Sequence, residues 1–157
     1  MNLDFQSPPA RGLRRYVRLV AAMLDPAAEC SAVRWDHPVN ACLALSGRLR
    51  WFPARDVALT WDGRHGWAMV LTTHTGMSLT VLRYLGHDLL PTPRQVASFS
   101  GRLFRDEFAG QTEPPRVTDA DLMTRLAGYA VAGSGRQRRD GRPVHLHGVI
   151  TARPGRV

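Results

Sequence analysis

The stretch VALTWDGRHGWAMVL, residues 57–71, decides how this chain folds. Apolar residues occupy every second position on both sides of a turn that runs from Asp62 to Gly66. Alternation with a period of two is typical of a strand with one buried face, and Asp-Gly favours a tight turn. The stretch therefore predicts a β-hairpin. Its alternating apolar positions are Val57, Leu59 and Trp61 before the turn and Trp67, Met69 and Leu71 after it.

The same period extends outward, from about residue 31 to residue 86. On the N-terminal side, apolar residues alternate over residues 39–45 before Ser46-Gly47 turns the chain. On the C-terminal side, Thr75-Gly76 turns it into a last run with Met77, Leu79 and Val81 at alternate positions. We therefore predict a meander of four or five antiparallel strands that is half-buried and needs cover on one face.

Helices supply that cover. A Ser7-Pro8-Pro9 start predicts a first helix that ends before Asp25-Pro26, and a Thr92-Pro93-Arg94-Gln95 capping box predicts a second. Thr118 with Asp121 repeats the capping pattern and predicts a third. The buried positions that helical spacing predicts are Leu13, Tyr16, Val17, Val20 and Leu24; then Val96, Phe99, Leu103, Phe104 and Phe108; then Leu122, Leu126 and Tyr129.

The fold class is therefore α+β: an N-terminal helix, a four- to five-stranded antiparallel meander, two following helices and a basic C-terminal extension. Residues 1–110 form the predicted α+β domain, and residues 111–133 a linker and the third helix. Residues 134–157 form the basic extension, in which residues 144–151 have the composition of a short strand or hairpin. The order of elements is also similar to the small α+β fold of secretion chaperones, which bind protein segments.

All 21 basic residues of the chain are arginines, and they concentrate at its two ends. Residues 1–24 carry four arginines and one acid, residues 134–157 carry six and one, and the middle carries eleven of each. Clustered arginines favour contact with phosphates or another polyanion. The predicted contact residues are Arg136, Arg138, Arg139 and Arg142 in the extension and Arg11, Arg14, Arg15 and Arg18 along the first helix.

The absence of lysine excludes several catalytic classes. A Walker A lysine, a Schiff base, a kinase-type lysine and a Ser-Lys dyad each need an amine that this chain lacks. We name no catalytic residue, no metal ligand and no cofactor. The alternative is a small-ligand enzyme that uses His74 or His87 in a pocket of the sheet.

One aromatic cluster lies in a predicted loop. Trp51 and Phe52 stand between Arg50 and Arg55, an arrangement that suits stacking on a base or anchoring a protein partner. The alternative is that the loop packs its aromatic rings onto the core. Trp61 and Trp67 present the same choice between the core and a ligand platform.

Several short motifs together resemble an actinobacterial family of small proteins of unknown function. They are RRYV at 14–17, ALSGRL at 44–49, VALTWD at 57–62, HGWA at 65–68, YLG at 84–86 and LLP at 89–91. The resemblance covers about residues 11–105 and is most specific at the tryptophan-flanked turn. It implies an intracellular bacterial protein and assigns no site residues.

We therefore expect a non-enzymatic binding or regulatory protein. Its body contacts a protein partner or a second copy, and its arginine-rich ends contact nucleic acid or another polyanion with weak sequence specificity. The alternative is a protein-interaction or chaperone-like adaptor with no nucleic-acid role. Two cysteines without a CxxC motif and no apolar run of about 18 residues favour the cytoplasm and no membrane association.

Overall fold

The computed structural model describes residues 4–24, 28–35, 39–73 and 79–131 of the chain. It has the predicted α+β architecture, in which one helix precedes a five-stranded antiparallel sheet and two helices follow it. The strands lie side by side in chain order. The elements are α1 (Pro8–Leu24), β1 (Ala28–Arg34), β2 (Asn40–Leu45), β3 (Asp56–Asp62), β4 (Gly66–Thr72), β5 (Leu79–Tyr84), α2 (Pro93–Phe104) and α3 (Leu122–Val131).

The central hairpin, β3–β4, lies where the alternation predicted it. Trp61 lies opposite Trp67, and Asp62 lies opposite Gly66. The Asp62 carboxylate accepts hydrogen bonds from the backbone N–H groups of Arg64 and His65, at 2.8 and 2.7 Å, and so closes the turn. Gly66 adopts a φ of 69°, a conformation that glycine reaches without strain. Both tryptophans are buried, as the alternation predicted.

Helix α1 covers one face of the sheet with its predicted apolar stripe. Pro8 and Pro9 occupy the first turn, and the Ser7 hydroxyl accepts a hydrogen bond from the backbone N–H of Ala10. All five predicted positions, Leu13, Tyr16, Val17, Val20 and Leu24, are buried. They pack into one cluster with the core-facing residues of the strands and with Val96 and Phe99 of α2.

A buried hydrogen-bond chain fastens the loop between β5 and α2 to this core. The Tyr16 hydroxyl donates to the backbone carbonyl of Pro91 and accepts a bond of 3.0 Å from Trp67 Nε1. Trp61 Nε1 donates to the carbonyl of Leu89 at 2.6 Å. Burial raises the pKa of the Tyr16 phenol above its ordinary value, so the hydroxyl keeps its proton. The three aromatic residues therefore act as polar anchors as well as core filling.

The start of α3 differs from the prediction. The helix begins at Leu122, so Thr118 and Asp121 do not form a capping box around its first turn. The Asp119 carboxylate instead accepts from the backbone N–H of Asp121 and from the Arg125 guanidinium. Asp119 therefore takes the place at the start of α3 that the capping pattern assigned to Thr118.

Arg125 joins α3 to the same loop between β5 and α2. Its two terminal nitrogens bond both carboxylate oxygens of Asp88, at 2.9 and 3.1 Å, and Nη2 also donates to the Leu90 carbonyl at 3.1 Å. This fork holds the pKa of Asp88 below its ordinary value. It fixes the position of α3 relative to the sheet.

The predicted apolar stripe of α2 is wrong at its last position. The capping box at Thr92 and Gln95 is present, but the helix ends at Phe104. Asp106 then adopts a φ of 58°, and the Glu107 N–H bonds the Arg102 carbonyl, which is the geometry of a Schellman termination. Because the chain reverses there, Phe108 leaves the helix direction and lies exposed.

Strand β5 carries an irregularity that changes which side chains face the core. Val81 lies opposite Val70 and Arg83 opposite Met69, so β5 has one residue more than β4 over this interval. Leu82 packs against the main core, whereas Leu79 and Val81 are exposed. Val70 belongs to a small apolar cluster on the face of the sheet opposite α1, with Ala58 and Ala68.

Candidate functional site

An open groove runs between the end of α2, the end of β5 and the segment that leads into β3. Its floor is apolar and is formed by Leu49, Phe52, Leu82 and Leu103. The groove encloses about 260 Å³. Small-molecule sites typically enclose about 300–1,000 Å³, so this groove has room for one or two side chains of a peptide and not for a large ligand.

Two aromatic rings form the walls of the groove. The side chain of Trp51 is 73% exposed and that of Phe108 is 84% exposed. Phe52 is half-buried and packs against the core. The alternative prediction, that the loop packs its aromatic rings onto the core, is therefore confirmed for Phe52 and not for Trp51. A large apolar ring held in solvent loses the free energy that burial would provide, and such rings are enriched in protein-interaction sites.

Each wall is an aromatic–arginine pair. The guanidinium carbon of Arg50 lies 5.5 Å from the centroid of the Trp51 ring, and that of Arg83 lies 5.6 Å from the centroid of Phe108. A cation over an aromatic face stabilises by about 0.5–1 kcal/mol at an exposed site. Both rings thus contact a cation and still lie largely exposed to solvent.

The groove is lined by one arginine, Arg83, and by two acids, Asp106 and Glu107, which pair with arginines outside the lining. Arg50 lies 3.6 Å from Asp106, and Glu107 binds both Arg105, at 2.9 Å, and Arg102, at 3.3 Å. Arg105 and Arg102 hold the pKa of Glu107 below its ordinary value. Arg83 has no carboxylate partner among the described residues. Both acids are thus paired with arginines outside the lining, and Arg83 is the lining cation left for a ligand.

The four arginines predicted along α1 lie on the side of the helix away from the core. Arg11 and Arg18 are exposed, and Arg14 and Arg15 are half-buried. The helix contains no acidic residue, and within the described part of the chain none of the four forms an ion pair. Like charges three and four residues apart repel one another by about 0.2–0.5 kcal/mol per pair, so this stripe is favourable only when anions neutralise it.

The structure also brings part of this stripe to the end of α3. Arg11 and Arg15 line a cleft with Ala130 and Val131. The Arg15 Nε atom is buried there without a hydrogen-bond partner. The other four predicted contact residues, Arg136, Arg138, Arg139 and Arg142, and the predicted strand at 144–151 lie outside the described residues.

The histidines proposed for an enzyme receive no partner from the described structure. His87 is exposed with a φ of 62°, and no carboxylate lines the cleft beside it, because Asp88 is bound to Arg125. His74 lies outside the described residues. His65 Nδ1 does lie 3.3 Å from the Asp62 carboxylate, but that carboxylate also closes the hairpin turn.

Sequence reasoning identified one wall and part of the floor of the groove, Trp51 and Phe52, and missed the other wall. Phe108 was assigned to a buried helical stripe because its spacing fits one. The sequence gives no clear signal that the backbone of Asp106 is left-handed, since glycine is the usual residue at that position. Among the described residues there is no cluster of three metal-ligating side chains and no helix long and apolar enough to span a bilayer.

Comparison with known proteins gives a family and no activity. Residues 16–102 match a family of unknown function, DUF6292, and the chain belongs to that family. The match includes the hairpin, the aromatic anchors and most of α2, and it ends before Phe108 and α3. Neither the curated proteins nor the solved structures provide a match to the chain.

Proposed function

Because the family has no known function, we propose from the groove that this protein is a non-enzymatic binding protein that holds an apolar segment of a protein partner. The observation that carries the proposal is the pair of exposed aromatic walls, Trp51 and Phe108, on either side of an apolar floor. Aromatic residues at the centre of an interface contribute most of the binding energy in many complexes. The shallow, small groove favours a side chain of a peptide over a small substrate.

Peptide selection tests this proposal. Random peptides displayed on phage are selected on the immobilised full chain, and the enriched peptides are then titrated against variants. We expect Trp51→Ala and Phe108→Ala each to weaken binding at least about tenfold, because truncating a central aromatic residue typically costs about 2 kcal/mol or more.

Phe5→Ala is the matched control, since Phe5 is an exposed aromatic residue that does not line the groove. It should leave the affinity of every enriched peptide unchanged. Enriched peptides that bind Trp51→Ala and Phe108→Ala as tightly as the wild type would contradict the groove as the binding site.

A second function is favoured by the unpaired arginines of α1, and we propose that they contact a polyanion together with the extension. Residues 132–157 follow directly from Val131, beside Arg11 and Arg15. Five residues span at most about 18 Å, so connectivity alone keeps Arg136 within about 18 Å of Val131, which lies beside Arg11 and Arg15. The two basic ends, which are far apart in the chain, can therefore contact the phosphates of one nucleic-acid molecule.

Fluorescence anisotropy with a generic DNA duplex tests this second function. We expect binding that weakens steeply with salt, with a logarithmic slope of about −0.9 for each phosphate contacted. Arg11→Gln with Arg15→Gln, and separately truncation to residues 1–133, should each reduce that slope. Arg64→Gln with Arg94→Gln, which changes two exposed arginines elsewhere, should not. Absence of binding by the full chain at low salt would refute the nucleic-acid role.

The composition supports two further parts of the proposal. The use of arginine in place of lysine is typical of a GC-rich genome such as an actinobacterial one. Two cysteines without a CxxC motif favour a reducing compartment, so we take the protein to act in the cytoplasm.

A further inference from the structure

Strand β5 is an open edge of the sheet. It pairs with β4 on one side. On its other side, within the described ranges, only Tyr84 has a backbone partner: its N–H and carbonyl both bond Gln111, at 2.8 Å each. The rest of the outer side, Leu79 to Arg83, has no backbone partner among the described residues. Unpaired N–H and C=O groups along an edge are a template for another strand.

This open edge and the groove share residues. Leu82 and Arg83 belong to β5 and both line the groove, because the extra residue of β5 between Val81 and Arg83 interrupts the alternation there. Alternate side chains of a strand point to opposite faces of the sheet. A strand added along β5 would therefore direct every second side chain to the face on which the groove lies. The others would lie on the opposite face, beside the exposed Leu79 and Val81.

The charges that line the groove indicate which segment fits. Arg83 is held by Phe108 with no carboxylate partner among the described residues, and Asp106 and Glu107 are already paired with arginines. An acidic side chain on the incoming strand would pair with Arg83. A second copy of this chain is disfavoured as occupant, because its own β5 edge, Leu79 to Arg83, contains no acidic residue that could pair with Arg83.

We propose that β5 binds its partner by strand addition: an extended segment of another protein, which carries apolar residues and an acidic residue on its groove-facing side, pairs with the edge from Leu79 to Arg83. Its apolar side chains enter the groove between Trp51 and Phe108, and an acidic side chain pairs with Arg83. The inference rests on the proposed protein-binding function and specifies the partner. Main-chain bonds give the affinity and the groove gives the selectivity.

The test uses a defined eight-residue peptide, capped at both ends, in which every second position is valine or glutamate in turn and the positions between are threonine, so that valine and glutamate share one face; its partner is the same peptide with lysine for glutamate. The full chain is titrated with each peptide to about 1 mM, and amide hydrogen exchange is followed by nuclear magnetic resonance. We expect the glutamate peptide to bind at least about tenfold more tightly than the lysine peptide. We also expect it to slow exchange at one or more amides between Leu79 and Arg83 at least about tenfold.

Three outcomes overturn the inference. Binding that depends on Trp51 but leaves the β5 amides unprotected would retain the groove and refute strand addition. No binding of the glutamate peptide at 1 mM would refute the acidic partner, while the groove itself is still judged by the phage-selected peptides. Protection of the β5 amides that grows with protein concentration, without peptide, would identify a second copy as the occupant.

A charge reversal examines the role of Arg83 separately. Arg83→Glu should weaken binding of the glutamate peptide at least about tenfold and strengthen binding of the lysine peptide. A loss of stability alone would not change the two affinities in opposite directions. Arg94→Glu, at an exposed position of α2 outside the groove, should leave the ratio of the two affinities unchanged. A ratio unaffected by Arg83→Glu would overturn the assignment of Arg83.

Discussion

We expect Gly12→Ala to lower the free energy of unfolding by about 3 kcal/mol, at the upper end of what overpacking usually costs. A Cβ atom at Gly12 would lie 1.7 Å from the backbone carbonyl oxygen of Leu126. The obstacle is main chain and not a flexible side chain, so α1 and α3 must move apart. That separation would expose Leu126 and Tyr129 and strain the Arg125 fork. Urea denaturation followed by circular dichroism measures the loss.

Gly128→Ala is the matched control for this prediction. It places the same methyl group in α3, where no atom lies within 4 Å of the new Cβ. Alanine is the better helix former by about 1 kcal/mol, so this variant should be as stable as the wild type or more stable. If Gly12→Ala were as stable as Gly128→Ala, the close packing of α1 against α3 would be wrong.

The second large effect is expected from Tyr16→Phe, which removes one oxygen atom and should cost about 3 kcal/mol. Without the hydroxyl, the Pro91 carbonyl and the Trp67 indole N–H both lose their partner in the core. Each buried polar group left unsatisfied costs about 1–3 kcal/mol. Thermal or urea unfolding measures the loss, and the near-ultraviolet circular dichroism of the tryptophans reports whether the loop has detached.

Tyr129→Phe is the control, because the Tyr129 hydroxyl forms no hydrogen bond with any residue that the structure describes, although its ring centroid lies 4.9 Å from that of Tyr16. It should change the free energy of unfolding by less than about 0.5 kcal/mol. Equal losses in the two variants would show that the Tyr16 hydroxyl does not anchor the loop.

Tyr16 also predicts a dependence of stability on alkaline pH. Burial raises the pKa of Tyr16 in the folded chain, whereas the unfolded chain keeps the ordinary value of 10.0. Above that value the unfolded state binds fewer protons than the folded state, so stability falls as pH rises. The stabilisation is complete below pH 10 and declines above it. Urea midpoints measured between pH 8 and 11 should fall less steeply above pH 10 in Tyr16→Phe than in the wild type.

Local patterns predicted most of the fold because they depend on interactions between near neighbours in the chain. The alternation around Trp61 and Trp67 gave the central hairpin, and the Thr92 capping box gave the start of α2. The capping pattern at Thr118 was wrong because Asp119, and not Thr118, engages the start of α3, through the Asp121 N–H and the Arg125 side chain. The candidate site was predicted in part, since the position of Phe108 depends on a chain reversal at Asp106.

The sequence by itself determined the fold class, the helix α1 with its apolar and arginine faces, an antiparallel meander of four or five strands and the exclusion of lysine chemistry. These follow from periodicity and composition, which each segment carries within itself. Only the tertiary structure decided that Trp51 and Phe108, 57 positions apart, form one groove with β5. It also placed the end of α3 beside Arg11 and Arg15. The physical reason is that these juxtapositions depend on packing between elements that are distant in the chain. The close contact of Gly12 with Leu126 is one such point, and no local pattern predicts it.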